Sequence, residues 1–392
     1  MKPVIDISKE YGIVLEGGGA KGAYQIGAWK ALQEAGVKVC AVAGTSVGAL
    51  NGALICMGDV ECAEKLWETI SYSKVMDVDD DIMEQLISGR ITSHEALKKA
   101  FAVFTAGGAD ITPLKKLIAD NVDEAYMREC GPDFYVLTFS LSDMKELDLS
   151  LDEIPEGNLK DILLASAYLP VFKKELLHGK NYMDGGMFNN VPLESLVKRD
   201  YKDIIMIRIF GVGREKKVKI PEDVTVITIE PRVNLGKMLE FDSKKGKRNI
   251  KIGYYDACRV IYGLSGTIYY IDEQDEEEDY CQRFLKAPFV LKEQSVEYYR
   301  FEAEDAGVCR CFMEKVLDSV AQELKLSREW TYKELYLAML EATAKQLRIQ
   351  KYNIYTLQEL QAQVLHKYRQ KTEPELPYFA ELMLGLIEED LT

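Results

Sequence analysis

Gly44-Thr45-Ser46-Val47-Gly48 is the stretch on which the fold turns. It satisfies G-x-S-x-G, the elbow that lifts a serine hydroxyl out of the backbone between a strand and a helix. The context fits that geometry. Val39-Cys40-Ala41-Val42-Ala43 before it is a short apolar run with strand character, and Val47 to Met57 after it is rich in Ala and Leu and reads as helix until Gly58. A serine held in so sharp a turn needs neighbours without side chains on both sides. A helix start also offers free N–H groups and a dipole that favour a developing oxyanion.

Working outward, Gly17-Gly18-Gly19-Ala20-Lys21-Gly22 follows the apolar run Ile13-Val14-Leu15 and opens an Ala-rich segment that Gly36 ends as a helix cap. A glycine loop at a helix start presents backbone N–H groups and makes an anion site. Gly17, Gly19 and Gly22 also spell G-x-G-x-x-G, so a nucleotide-binding module is an alternative. That reading needs an acid at the end of the second strand, where this chain has Ala43-Gly44-Thr45-Ser46. A Walker A loop is excluded, because no G-x-x-x-x-G-K-[ST] occurs here. The simplest reading gives the loop to the serine, with Gly17, Gly18 and Gly19 as an oxyanion hole.

A hydroxyl nucleophile needs a base. The chain has three histidines, His94, His178 and His366, and each reads as a surface residue from its setting. The better candidate is Asp184 in Tyr182-Met183-Asp184-Gly185-Gly186, where two glycines permit a tight turn and a close backbone approach to the carboxylate. Taken alone, the same letters are an ordinary Asp-Gly turn.

Together, Glu16 to Gly22, Gly44 to Gly48 and Asp184-Gly185-Gly186 resemble the signature of the patatin-like phospholipases. Ala165-Ser166-Ala167-Tyr168-Leu169-Pro170 and Asn190-Val191-Pro192 agree with two further segments of that family. The resemblance covers roughly residues 11 to 270. It implies a serine acyl hydrolase with a Ser46–Asp184 dyad and a Gly17–Gly19 oxyanion hole. It also implies Lys21 near a substrate phosphate, phospholipid or lysophospholipid esters as substrates, and no metal or organic cofactor. A non-catalytic scaffold on the same fold is the second alternative. Chain length, head group and positional preference do not follow, because fold does not fix substrate.

Composition sets the frame. The 392 residues are 47% hydrophobic and 29% charged, with a net charge of −15. This is the make-up of a globular protein with one large or two modest domains. The acidity argues against nucleic acid as a partner and against constitutive binding to anionic membrane, leaving transient contact with a membrane or micelle open. No apolar run reaches the length of a membrane span, and the N-terminus lacks a signal-like apolar core. The eight cysteines are scattered, and only Cys309 and Cys311 are close-spaced. Reduced thiols and a cytoplasmic protein are expected, with no metal site. Asp77-Val78-Asp79-Asp80-Asp81 starts like a calcium loop but has Ile82 where glycine is required, and reads as a solvated turn.

Strand-like runs at 12–15, 39–43, 134–141, 204–210 and 224–229 alternate with helical segments near 21–35, 47–57, 60–70, 93–104, 113–119, 158–168 and 193–199. This pattern predicts an α/β fold, a mostly parallel central sheet with helices on both faces. Its ligand site belongs at the carboxyl ends of the strands, where Ser46 and the glycine loop both fall. The hydrolase domain is expected over residues 1–271, an acidic linker over 272–279, and an all-helical domain over 280–392. In that last domain Leu335, Met339, Ala342 and Leu347 recur at helical spacing. Its apolar stripes must be buried against the hydrolase domain, against a second copy of the chain, which would make a homo-oligomer, or against a membrane surface, which the excess of acid disfavours.

Overall fold

The computed structural model describes every residue except 91–107, 174, 305–306, 371–375 and 391–392. His94 and the helix expected near 93–104 lie outside the described residues. The chain divides into two compact units, Lys2–Ile261 and Tyr262–Thr392.

The first unit is built on a seven-stranded sheet. Its strands are β1 (Glu10–Leu15), β2 (Lys38–Thr45), β3 (Asp133–Ser140), β4 (Lys145–Ser150), β5 (Tyr182–Asp184), β6 (Asp203–Ile207) and β7 (Thr225–Ile229). The order is β4-β3-β2-β1-β6-β7, with β5 also on β3. The run from β3 to β7 through β2, β1 and β6 is parallel, while β4 and β5 lie antiparallel to β3. Helices cover both faces. The helix Leu193–Val197 packs with Val14, Ala41, Ala43 and Tyr135 on one face. On the other, α2 (Val47–Met57) brings Gly52 against Phe134, Val42 and Leu15. Strands buried on both faces carry continuous apolar runs, which is why β1 and β2 are legible in the sequence.

Register places the site. Leu15 pairs with Gly44 and Thr45 with Leu137, so the segments after β1 and β2 leave the sheet side by side at one rim. On β5, Asp184 pairs with Thr138, one residue beyond Leu137, and so ends at the same rim.

Acidic side chains serve two helix starts. Asp79 accepts a hydrogen bond from Ile82 N–H and caps the helix Asp80–Ser88, so the acidic run 77–81 starts a helix. Asn158 precedes the helix Leu159–Ser166 without a side-chain capping bond. Glu124 instead accepts from the Gly157 and Leu159 N–H groups.

The second unit is helical, with its main helices at Glu277–Lys286, Phe289–Tyr298, Tyr332–Gln346, Leu357–Arg369 and Tyr378–Asp390. Its core gathers Tyr280, Phe284, Phe312, Leu335, Tyr336, Met339, Leu360 and Met383. It is not all-helical, since β8 (Tyr270–Asp272) and β9 (Ile354–Thr356) form a parallel pair. Residues 272–279 are not a free linker there. Asp272 ends β8, and Glu273 is buried, accepting from Ser265, Tyr280 and Lys333. Glu277, Glu278 and Asp279 open a helix whose N-terminus favours negative charge. The compact unit accordingly begins at Tyr262, upstream of the expected 271/272 boundary. Among the described residues, no helix is long and apolar enough to cross a membrane, and no group of His, Cys, Asp and Glu is arranged to hold a metal ion.

Candidate active site

Ser46 stands between β2 and α2 with φ 55° and ψ −127°, a left-handed backbone that L-residues rarely adopt. Strain of this kind costs of order 1–3 kcal/mol and persists only where surrounding packing enforces it. The packing is visible at the two flanking glycines. A Cβ on Gly44 would fall 2.3 Å from Gly48 O, and one on Gly48 would fall 2.3 Å from Leu15 O. Ser166 adds a further constraint. Its hydroxyl accepts the Ser46 N–H at 2.9 Å and donates to Leu137 O at 2.5 Å, tying the elbow to β3.

The Ser46 hydroxyl donates to Asp184 Oδ2 at 2.5 Å. The other carboxylate oxygen, Oδ1, accepts the Gly186 N–H at 2.7 Å, closing the Asp-Gly-Gly turn. Asp184 is buried, and burial pushes its carboxyl up to about 6, against the two hydrogen bonds that favour the charged form. Neither described histidine enters this arrangement. His178 is exposed and meets Asp161 at 2.7 Å. His366 lies on a helix of the second unit beside Gln370.

The glycine loop runs beside the serine, close enough that a Cβ on Gly17 would lie 3.2 Å from Ser46 Cβ. One expectation for it fails. The Gly17 N–H donates to Asn190 O at 3.0 Å and is therefore turned away from a substrate. The N–H groups of Gly18 and Gly19 meet no acceptor among the described residues. Gly19 itself has φ 58°. Lys21 donates through Nζ to Phe210 O at 2.6 Å. Burial pulls its ammonium below the usual lysine range, opposed by the nearby Glu16 carboxylate.

Glu16, quoted in the motif without a role, is the buried anchor of this loop. Its carboxylate accepts from Arg208 Nε at 3.0 Å, from the N–H groups of Ile209, Phe210 and Gly211 at 2.7, 3.0 and 3.1 Å, and from Asn190 Nδ2 at 3.3 Å. Asn190 Nδ2 also donates to Gly17 O at 3.0 Å. Sequence reasoning missed Arg208 altogether, since it follows an ordinary strand and is 192 positions from its partner.

A cleft of about 70 Å³ opens beside Ser46 and Gly19. Its wall is apolar, with Leu50 and Leu54 from α2, Trp67, Leu114 and Ile118 from flanking helices, and Phe172 and Phe241 from loops. A hydroxyl hydrogen-bonded to a buried carboxylate, N–H groups beside it and an apolar slot are an arrangement that can support acyl transfer.

Comparison with known proteins defines the class. Residues 13–197 match the model of the patatin-like phospholipases. A probable lipid hydrolase, 463L, of Invertebrate iridescent virus 6 is 23% identical over 187 residues, covering 47% of this chain and 63% of the viral protein. Lysophospholipase nte1 of Aspergillus terreus is 54% identical over 46 residues, 12% of this chain and 3% of the fungal protein. The chain thus spans less than two-thirds of the length of these relatives. Among solved structures, VipD from Legionella pneumophila aligns with a TM-score of 0.40 at 16% identity, covering 96% of this chain and 91% of that one.

Proposed function

We propose that the first unit is a serine-dependent lipid acyl hydrolase acting on phospholipid or lysophospholipid esters through a Ser46–Asp184 dyad. The observation that carries this reading is the 2.5 Å hydrogen bond from Ser46 Oγ to a buried carboxylate, at the mouth of an apolar cleft. The ester acyl chain lies along Leu50, Leu54 and Trp67. Ser46 Oγ attacks the carbonyl carbon as its proton passes to Asp184 Oδ2. The C=O electron pair moves onto oxygen, which the Gly18 and Gly19 N–H groups receive. The intermediate collapses, the proton leaves on the departing alcohol, and Ser46 is acylated. Water, deprotonated by Asp184, then releases the fatty acid. Lys21 keeps N–H donors beyond its bond to Phe210, and we assign it to a head-group phosphate. The name of the fungal relative, a lysophospholipase, supports a phospholipid-derived substrate.

Labelling with a fluorophosphonate probe tests the mechanism. The expected adduct maps to Ser46 by mass spectrometry and is absent from Ser46→Ala. That variant folds but hydrolyses p-nitrophenyl butyrate no faster than the buffer. Labelling elsewhere, or wild-type turnover by Ser46→Ala, overturns the assignment.

A further inference from the structure

The segment after β6 reads Arg208-Ile-Phe-Gly-Val-Gly-Arg-Glu-Lys-Lys-Val-Lys-Ile220. Within residues 208–219, five cations face one acid in a chain whose net charge is −15. The rest of the acidity is unevenly spread. Residues 262–392 hold 25 acids and 15 bases, a net −10, whereas residues 1–261 hold 39 and 34, a net −5. The basic segment therefore belongs to the less acidic unit, where a local field of its own sign can survive screening.

Two of its cations are used inside the fold. Arg208 pairs with Glu16 and Glu215, and Lys216 with Glu146. Arg214, Lys217 and Lys219 are exposed and pair with no acid among the described residues. The same segment also presents apolar side chains to solvent. Phe210 is 49% and Val212 77% exposed, and Met187 beside the Asp184 turn is 51% exposed. Single exposed apolar residues need no explanation, but a group of them interleaved with unpaired cations matches the interface of a membrane, whose head groups carry charge and whose next layer is apolar.

The segment is fastened to both halves of the candidate site. Three successive N–H groups, at Ile209, Phe210 and Gly211, end on the Glu16 carboxylate. Arg214 N–H donates to Gly186 O at 2.9 Å, and Asn190 N–H to Arg214 O at 2.7 Å. Gly211 is pressed so close that a Cβ would fall 1.8 Å from Gly17 O. A surface that holds Val212 therefore also holds the rim on which the glycine loop and Asp184 sit.

We infer that residues 210–219 dock the hydrolase unit on an anionic phospholipid surface. Phe210 and Val212 enter the head-group layer, and Arg214, Lys217 and Lys219 meet lipid phosphates and carboxylates. Nucleic acid would engage the cations but leaves Val212 and Phe210 without a role, so the lipid surface is the occupant that uses both. The inference rests on the lipid-hydrolase reading for its purpose, but its test does not depend on catalysis.

The experiment is co-sedimentation of the full chain with vesicles of phosphatidylcholine alone and of phosphatidylcholine mixed with phosphatidylserine. Wild type is expected to bind the mixed vesicles and to be released by salt. Lys217→Gln with Lys219→Gln lowers that affinity about 30-fold, at ~1 kcal/mol per cation near the surface. Val212→Ser lowers it about tenfold with little change in salt dependence. Both variants hydrolyse p-nitrophenyl butyrate in solution at the wild-type rate. No binding of wild type to phosphatidylserine vesicles, or equal binding by the double variant, overturns the docking inference. So does retention of single-stranded DNA without vesicle binding. The two readings fail separately. A chain that binds vesicles but cleaves no ester loses the hydrolase reading alone, and one that cleaves esters but ignores vesicles loses the docking reading alone.

Discussion

Glu16 and Asp184 are both buried carboxylates of the hydrolase unit, and they are held in contrasting ways. Glu16 takes a guanidinium N–H, three consecutive backbone N–H groups and an amide. Asp184 takes one hydroxyl and one backbone N–H. The comparison teaches that burial alone does not make a base. A carboxylate saturated with donors and faced by a guanidinium organises the backbone around it. One with two donors and no cation is driven upward by desolvation and is ready to accept a proton.

The sharpest way to break the comparison is to neutralise both groups. Asp184→Asn should lower kcat for a small ester about a thousandfold, within the range that general acid–base groups contribute. His178→Gln and His366→Gln should leave kcat unchanged. Asp184 must be ionised to act, so kcat/KM should fall tenfold per unit as pH drops below about 6 and level off above it. A histidine variant as inactive as Asp184→Asn would require a triad instead.

Glu16→Gln should act chiefly on the fold. Its NH₂ group would face backbone N–H donors and Arg208 would lose its buried partner, at a cost of about 3 kcal/mol in denaturant unfolding. Activity should fall with the glycine loop's order. An unchanged midpoint would show that Glu16 is not an anchor.

The smallest expected effect runs the other way. The folded Asp184 carboxyl titrates at about 6, above its unfolded value of ~3.9. Between those values the native state binds more protons than the unfolded one, so this group's contribution to stability falls as pH rises through the window. Asp184→Asn removes that loss. It should be more stable than wild type at neutral pH by ~1–2 kcal/mol and show no such advantage below pH ~4. Urea titrations at the two pH values check the sign. A less stable Asn variant at neutral pH would place the carboxylate among the structural charges with Glu16.

The elbow, the glycine loop and Asp184 were legible because each is a local motif with its own turn chemistry. The parallel strands were legible because burial on both faces demands continuous apolar runs. What escaped was non-local or too short. The Glu16–Arg208 clamp joins residues 192 positions apart. The occupied Gly17 N–H depends on Asn190 arriving from another segment. Strand β4 had a signal, since Lys145-Glu146-Leu147-Asp148-Leu149-Ser150 alternates at period two, as an edge strand should. Strands β8 and β9 had none, at 3 residues each. The acidic run 272–279 misled because its counter-charges, Arg283 and Lys333, lie in helices further along the chain. The capping boxes at Thr331/Glu334 and Thr356/Glu359 were readable as T-x-x-E and mark two helix starts of the second unit.

The long sequence separations around Ser46 carry a consequence for the order in which the molecule is made. Ser46 emerges from the ribosome early, but Asp184, its hydrogen-bond partner, follows 138 residues later, and Arg208 to Gly211, which hold Glu16, follow it by 192 to 195. Contacts so distant in sequence close late, because loop-closure entropy must be met before they contribute. A nascent chain, or a fragment released before Gly211, carries an exposed serine without a working constellation. The surroundings of Ser46 are therefore complete only once the chain has passed beyond β6.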